Sequence, residues 1–318
     1  MSTISSSRHL LSIVVAASLA ACGGPQPPIG PSGAMLQTSA IATHGARGKS
    51  WMLPEAKSED LLYVSSDYDG VQVFSYPKGA YVGGIDAFGS GLCSDQKGDV
   101  FVTNTLDSQV YEYAHSGTER LQTLYDNSMD FNPFDCSVDP TTGNLAVASV
   151  DARFVVVFPN AEQRPKAYYE DMKHVSMDKC AYDDKGNLFV DQIDSHNGRK
   201  NYIGELPKGA RHFTNYVLDQ RISHPGGIQF DGKHIAIEDQ DSHVVYRLRF
   251  SGTKAILVGS TPLNGTTWVA QYWIQGKTLV GPDENSTVYF WRYPGGGSPV
   301  GSIQGLPEPY GVTVSLHD

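Results

Sequence analysis

Basic excess, paired metal-binding cysteines and long apolar runs are all missing from this sequence, and each absence removes a class of function. Against 24 Lys and Arg stand 34 Asp and Glu, a formal net charge of -10 with a pI near 5.4. The phosphate neutralisation that dominates nucleic-acid binding therefore has no basic surface to draw on. Basic proteins, amines or metal cations are better-matched partners. The 4 cysteines include no Cys-x-x-Cys pair, and neither a His-Glu-x-x-His motif nor a glycine loop leading into a helix occurs. Beyond the N-terminus, no apolar stretch approaches the ~20 residues that a membrane-spanning helix needs.

The N-terminus is different in kind. Arg8 precedes an apolar run, Leu10 to Ala20, that ends in Leu19-Ala20-Ala21-Cys22-Gly23. A short apolar segment behind a weakly positive start reads as an export signal over residues 1–21. Leu19-Ala20-Ala21-Cys22 resembles the bacterial lipobox, which implies that Cys22 becomes the lipid-modified first residue of a mature protein anchored in the cell envelope, in the periplasm or at the cell surface. Stable anchoring of this kind takes more than one acyl chain. Residues 22–58 begin Cys22-Gly-Gly-Pro25-Gln-Pro-Pro28 and remain rich in Gly, Pro and Ser, a composition that reads as a tether. Within it, Trp51-Met52-Leu53-Pro54 is expected to pack on the outside of the folded domain that follows.

From residue 59 to 318 one phrase returns about every 43 residues. It runs Asp95-Gln-Lys-Gly-Asp-Val-Phe-Val-Thr-Asn104, Asp139-Pro-Thr-Thr-Gly-Asn-Leu-Ala-Val-Ala-Ser149, Asp183-Asp-Lys-Gly-Asn-Leu-Phe-Val-Asp-Gln192 and Asp231-Gly-Lys-His-Ile-Ala-Ile-Glu-Asp239. Each is the end of a strand, a glycine turn and a second strand. Third strands rich in β-branched and aromatic residues follow, such as Phe154-Val-Val-Val-Phe158 and Val288-Tyr-Phe-Trp291. The period predicts an all-β fold, a six-bladed β-propeller with four antiparallel strands per blade. Residues 61–86 carry only three strands, and Pro309-Tyr-Gly-Val-Thr-Val-Ser315 is an orphan first strand. Placing that strand on the first blade closes the ring and removes the open sheet edges.

With the repeat in view, the chain resembles the NHL-repeat propellers over residues 61–315, most strongly at 91–104 and 179–192. The resemblance implies architecture and leaves the activity to be argued from a site. The gluconolactonase-like propellers, similar in shape, hold a divalent cation with a Glu, two Asn and an Asp. Here Asn104 matches one Asn, while Gly226 and Phe134 occupy positions where that pattern has Asn and Asp.

Candidate site residues lie in the loops that enter first strands and at the ends of second strands. Phe134, His174, His224, Trp268 and Tyr310, with Asn104, are expected to ring one mouth of the channel and to bind a ligand there, the aromatics by stacking. Glu238, Asp239 and Asp283, again with Asn104, form an acidic group that could hold Ca²⁺ or another divalent cation. Asp69, Asp107, Asp194 and Asp241 read as hairpin residues tolerating a left-handed backbone. The repeated Asp194-Ser195-His196 and Asp241-Ser242-His243 read as turns, because consecutive residues seldom converge as a triad. Cys93, Cys136 and Cys180 share one column of three successive inner strands; at the ~10 Å spacing of packed sheets they are expected to stay unpaired. No catalytic residue is assigned. The leading expectation is an exported, lipid-anchored binding module without a cofactor, engaging a protein, glycan or small molecule but no nucleic acid. Its alternatives are a metal-dependent lactonase or esterase at the channel mouth, and a structural envelope protein.

Overall fold

The computed structural model describes residues 48–318 apart from 67, 128–130, 151–153, 166, 171–175, 195–199 and 318. The export signal, Cys22 and His174 lie outside the described residues. The rest is all-β, in five sheets arranged as a propeller. The first sheet contains Trp51–Met52, Leu61–Ser66, Gly70–Ser75, Tyr81–Ile85 and Pro309–Ser315. Sheets of four strands run through 92–125, 133–170 and 273–304, and one eight-stranded sheet runs through 180–262.

The second strands explain the repeated phrase. Leu61–Ser66, Val100–Asn104, Leu145–Ser149 and Ile235–Asp239 are buried at every residue, because each lies inside its sheet with another sheet packed on either face. A short continuous apolar run is what such a strand requires. The turn before it needs a residue free of Cβ strain, and Gly98, Gly143, Gly186 and Gly232 adopt φ of 83, 72, 81 and 90°. In the next hairpin the left-handed residue falls just after the expected aspartate: it is Gly70, Ser108 and His243, with φ of 73, 53 and 53°. Asp107 instead uses its carboxylate to accept hydrogen bonds from Asn104 Nδ2 and the Tyr111 hydroxyl.

Pro309–Ser315 pairs antiparallel with Leu61–Ser66, so the last strand of the chain completes the first sheet from the inside, as the repeat count requires. On the outside, Trp51–Met52 pairs with Gly83 and Gly84, and Met52 and Leu53 pack on the core. The sheet thus takes in residues expected to belong to the tether. The innermost strands Pro309–Ser315, Leu92–Ser94, Pro133–Val138, Cys180–Tyr182 and Pro225–Phe230 are neighbours in that order, and Trp273–Gln275 returns to the first.

Where six separate sheets were expected, two are joined. Val217 and Leu218 of Thr214–Leu218 pair in parallel with Lys254 and Ala255 of Lys254–Pro262, linking two antiparallel halves at their outer edges. Among the described residues, six hydrophobic clusters lie between consecutive layers, and one of them is between these two halves, around Phe189, Ile203, Ile237 and Leu248.

The cysteine expectation is corrected. Cys93 and Cys136 form a disulfide with Cα atoms 5.7 Å apart, while Cys180 is a buried free thiol. Leu92, not Cys93, is the residue equivalent to Cys180, so Cys93 lies on the opposite face of its strand and points at Cys136 in the next layer. Gly91 makes the approach possible, since a Cβ there would lie 2.4 Å from the Phe134 carbonyl oxygen and 3.0 Å from the Asp135 Cα.

Candidate binding site

The loops entering the inner strands are tied down by the residues that end the second strands. The Gly91 N–H donates to Thr103 Oγ1 (2.8 Å), Asn132 N–H to Ser149 Oγ (2.7 Å), Lys179 N–H to Asp191 Oδ1 (2.7 Å) and Gly311 N–H to Ser65 Oγ (2.9 Å). Asp239 Oδ1 accepts from the Ser223 and His224 N–H groups, and Asp283 Oδ2 from those of Thr267 and Trp268. One hydroxyl or carboxylate per layer therefore satisfies backbone donors that the loop would otherwise leave unpaired. Asp239 and Asp283, expected as possible metal ligands, are used in this way. Asn104 is held in its own hairpin, where its Oδ1 accepts the Asp107 N–H at 2.8 Å. Glu238 is different: it is 1 % exposed, and its Oε2 has no hydrogen-bond partner among the described residues. Among the described residues no group of three or more His, Cys, Asp or Glu side chains converges on a metal position.

The expected aromatic residues fall into two pairs. Phe134 and Tyr310 meet edge to face with centroids 5.7 Å apart, and His224 and Trp268 lie 5.8 Å apart. All four are partly or substantially exposed. His224 Nδ1 also contacts Asp241 Oδ1 at 2.7 Å.

Beneath Phe134 and Tyr310 is a buried polar core. The Lys179 ammonium stands 4.4 Å from the Phe134 centroid and 5.6 Å from that of Tyr310. Gln271 ties four layers together, its own included: its Nε2 donates to Leu92 O (2.9 Å) and Asp135 Oδ1 (2.7 Å), and its Oε1 accepts from the Leu92 and Val312 N–H groups at 3.1 and 2.8 Å. Asp135 Oδ2 accepts the Cys180 N–H at 3.0 Å. Burial works against the charge on Lys179, but the fields of Asp135, Tyr310, Asp191 and Asp178 outweigh it and hold the ammonium above its ordinary pKa. Burial raises the Asp135 carboxyl, offset in part by Lys179. It raises Glu238 and Asp191 well above the carboxylate range, with Asp178 adding to the effect on Asp191. Gly226 makes room for Glu238, whose Oε2 lies 2.7 Å from where a Cβ at that position would be.

Lys179, Asp135, Asp191 and Gln271 were not among the expected site residues. A signal for two of them was present: aligned on the turn aspartates, Asp135 and Lys179 stand at the inner-strand position where neighbouring layers have Gly91 and Gly227. A charged side chain at such a position has only the axis to occupy.

No family model and no curated protein matches the sequence. Solved structures do. A chain from the crystal structure of a nidogen/laminin complex superposes with a TM-score of 0.67 at 15 % identity, over 81 % of this chain and 99 % of that one. Hydrazine synthase of Kuenenia stuttgartiensis gives 0.59 at 16 %, over 77 % and 83 %. At such identities the likeness is one of fold, and the fold is that of a β-propeller.

Proposed function

We propose that this chain is an exported, lipid-anchored binding module, a six-bladed NHL-like propeller that engages a protein partner through the loop face carrying Phe134, Tyr310, His224 and Trp268. The observation that carries the reading is the pairing of partly exposed aromatics there over a rigid, fully buried charged core. Surface aromatics held by an ordered frame lose little entropy on binding and make effective anchors. Six blades follow from counting the two halves of the eight-stranded sheet separately, as the hydrophobic layer between them favours. The use of a similar propeller in a nidogen/laminin complex is consistent with a protein partner. Export and lipidation rest on Leu19-Ala20-Ala21-Cys22.

The test is capture of envelope proteins by the full-length chain, compared with Trp268→Ala and Phe134→Ala variants of unchanged thermal stability. A partner held by the wild type and released by either variant supports the reading; equal retention by all three overturns it. Calorimetric titration with Ca²⁺, Mg²⁺, Mn²⁺ and Zn²⁺ decides between this reading and the metal-dependent hydrolase. Stoichiometric binding lost in Glu238→Ala would replace the binding module with that reading.

A further inference from the structure

The other end of the inner strands holds a feature that the loop face does not explain. A cavity of about 800 Å³ opens among the turns that join first to second strands and ends against Asp135 and Gln271. Its size is that of a small-molecule site. Phe134, Tyr310, His224 and Trp268 take no part in it.

The cavity wall is uneven in chemistry. Tyr182, Phe230 and Trp273, all partly exposed, line it from the sheets at 180–262 and 273–304. Carboxylates dominate elsewhere: six line the cavity, Asp139 and Asp183 among them, against the single Lys97. Asp139 accepts from Thr141 and Thr142, and Asp183 from Lys185 and Asn187, so both are fixed by their turns. An ionised carboxylate has about four acceptor positions, so each retains capacity for another donor. Tyr272 is 2 % exposed and lines the same cavity, and its hydroxyl has no hydrogen-bond partner among the described residues.

We propose that this cavity binds an organic cation, with its ammonium group toward Asp139 and Asp183 and its apolar body against Tyr182, Phe230 and Trp273. An amine on an apolar frame suits both walls: the carboxylates supply attraction and acceptors, and the rings supply burial and cation–π contact. A carboxylate of the same shape would meet like charge, and a neutral analogue would lose the ion pair.

Phenethylammonium, phenylacetate and 2-phenylethanol, titrated into the full-length chain by calorimetry and tryptophan fluorescence, test the idea. The expected result is saturable one-to-one binding of the amine, at least about 10-fold tighter than either analogue. Trp273→Ala should weaken it by about 10-fold and Asp139→Asn by about 5-fold, while Trp268→Ala on the loop face leaves it unchanged. The comparison among the three probes needs no variant, so a misfolded mutant cannot obscure the answer. Equal binding of all three, or no saturation by the amine, overturns the proposal and leaves a solvent-filled channel only. Because the loop face is not involved, either outcome is independent of the protein-binding reading.

Discussion

The Lys179 ammonium lies 4.4 Å from the centroid of the Phe134 ring and, among the described residues, donates a hydrogen bond to no side chain, although three carboxyl groups surround it. Its charge is balanced through space by Asp135, Asp191 and the aromatic quadrupoles. Lys179→Met preserves length and apolar volume while removing a cation that the fields of Asp135, Asp191 and Glu238 share. Leaving buried charge uncompensated costs about 3–5 kcal/mol. Urea unfolding should show a loss of that order, and an unchanged midpoint would mean that the carboxyl groups do not depend on this residue.

A pH dependence follows from Glu238. Its carboxyl is raised well above the ordinary range by burial, so the folded chain binds a proton that the unfolded chain releases. That contribution is complete at low pH, below the unfolded pKa, and is lost as pH rises through the elevated folded value. Glu238→Gln keeps the shape without the titration. The variant should show a shallower decline in stability above the ordinary carboxylate range than the wild type does, measured as denaturant midpoints across a pH series.

Reducing the Cys93–Cys136 bond opens a link spanning 43 residues. Restoring that freedom to the unfolded chain costs about 2–4 kcal/mol of stability. Cys93→Ser should lower the unfolding midpoint by a matching amount and make the protein insensitive to reductant. In the wild type, Cys180 is 2 % exposed and burial holds its thiol well above the usual pKa. Alkylation should therefore modify it only after denaturation; rapid labelling of the native protein would show that the inner wall opens.

Deleting residues 309–318 removes the innermost strand of the first sheet. Val312 and Val314 are buried there, each contributing about 1.5–3 kcal/mol, and His115 contacts Ser315 Oγ at 2.6 Å from the neighbouring layer. Cooperative unfolding should be lost throughout the propeller. Hydrogen exchange that stays slow in the sheets away from 61–85 would argue instead that the layers are stable on their own.

How legible the fold was depended on distance from the repeat. The phrase around Gly98, Gly143, Gly186 and Gly232 marked the strands and turns, and counting them placed Pro309–Ser315 on Leu61–Ser66. The parallel join at Val217 and Lys254 was not readable, because it lies on outer strands that carry no regular pattern. At the site, the pairing of Phe134 with Tyr310 and of His224 with Trp268 lay within the residues expected at the mouth. Asp239 and Asp283 looked like free acids because a sequence does not display the backbone N–H groups of a loop folded back on them. The disulfide was missed for a reason of register: Cys93 stands two residues before its turn aspartate Asp95, while Cys136 and Cys180 stand three before Asp139 and Asp183, so Cys93 faces the following layer and meets Cys136.

The order in which the ring is built has a consequence in time. Leu61–Ser66 is synthesised well before its inner neighbour Pro309–Ser315. At about 5–20 residues per second, the intervening chain takes on the order of tens of seconds to make. Until Pro309–Ser315 arrives, the inner edge of Leu61–Ser66 has no partner of its own, and a second copy at the same stage offers a complementary one. Fast elongation, or a chaperone that covers this edge until synthesis ends, should decide how much of the protein closes on itself and how much is lost to aggregation.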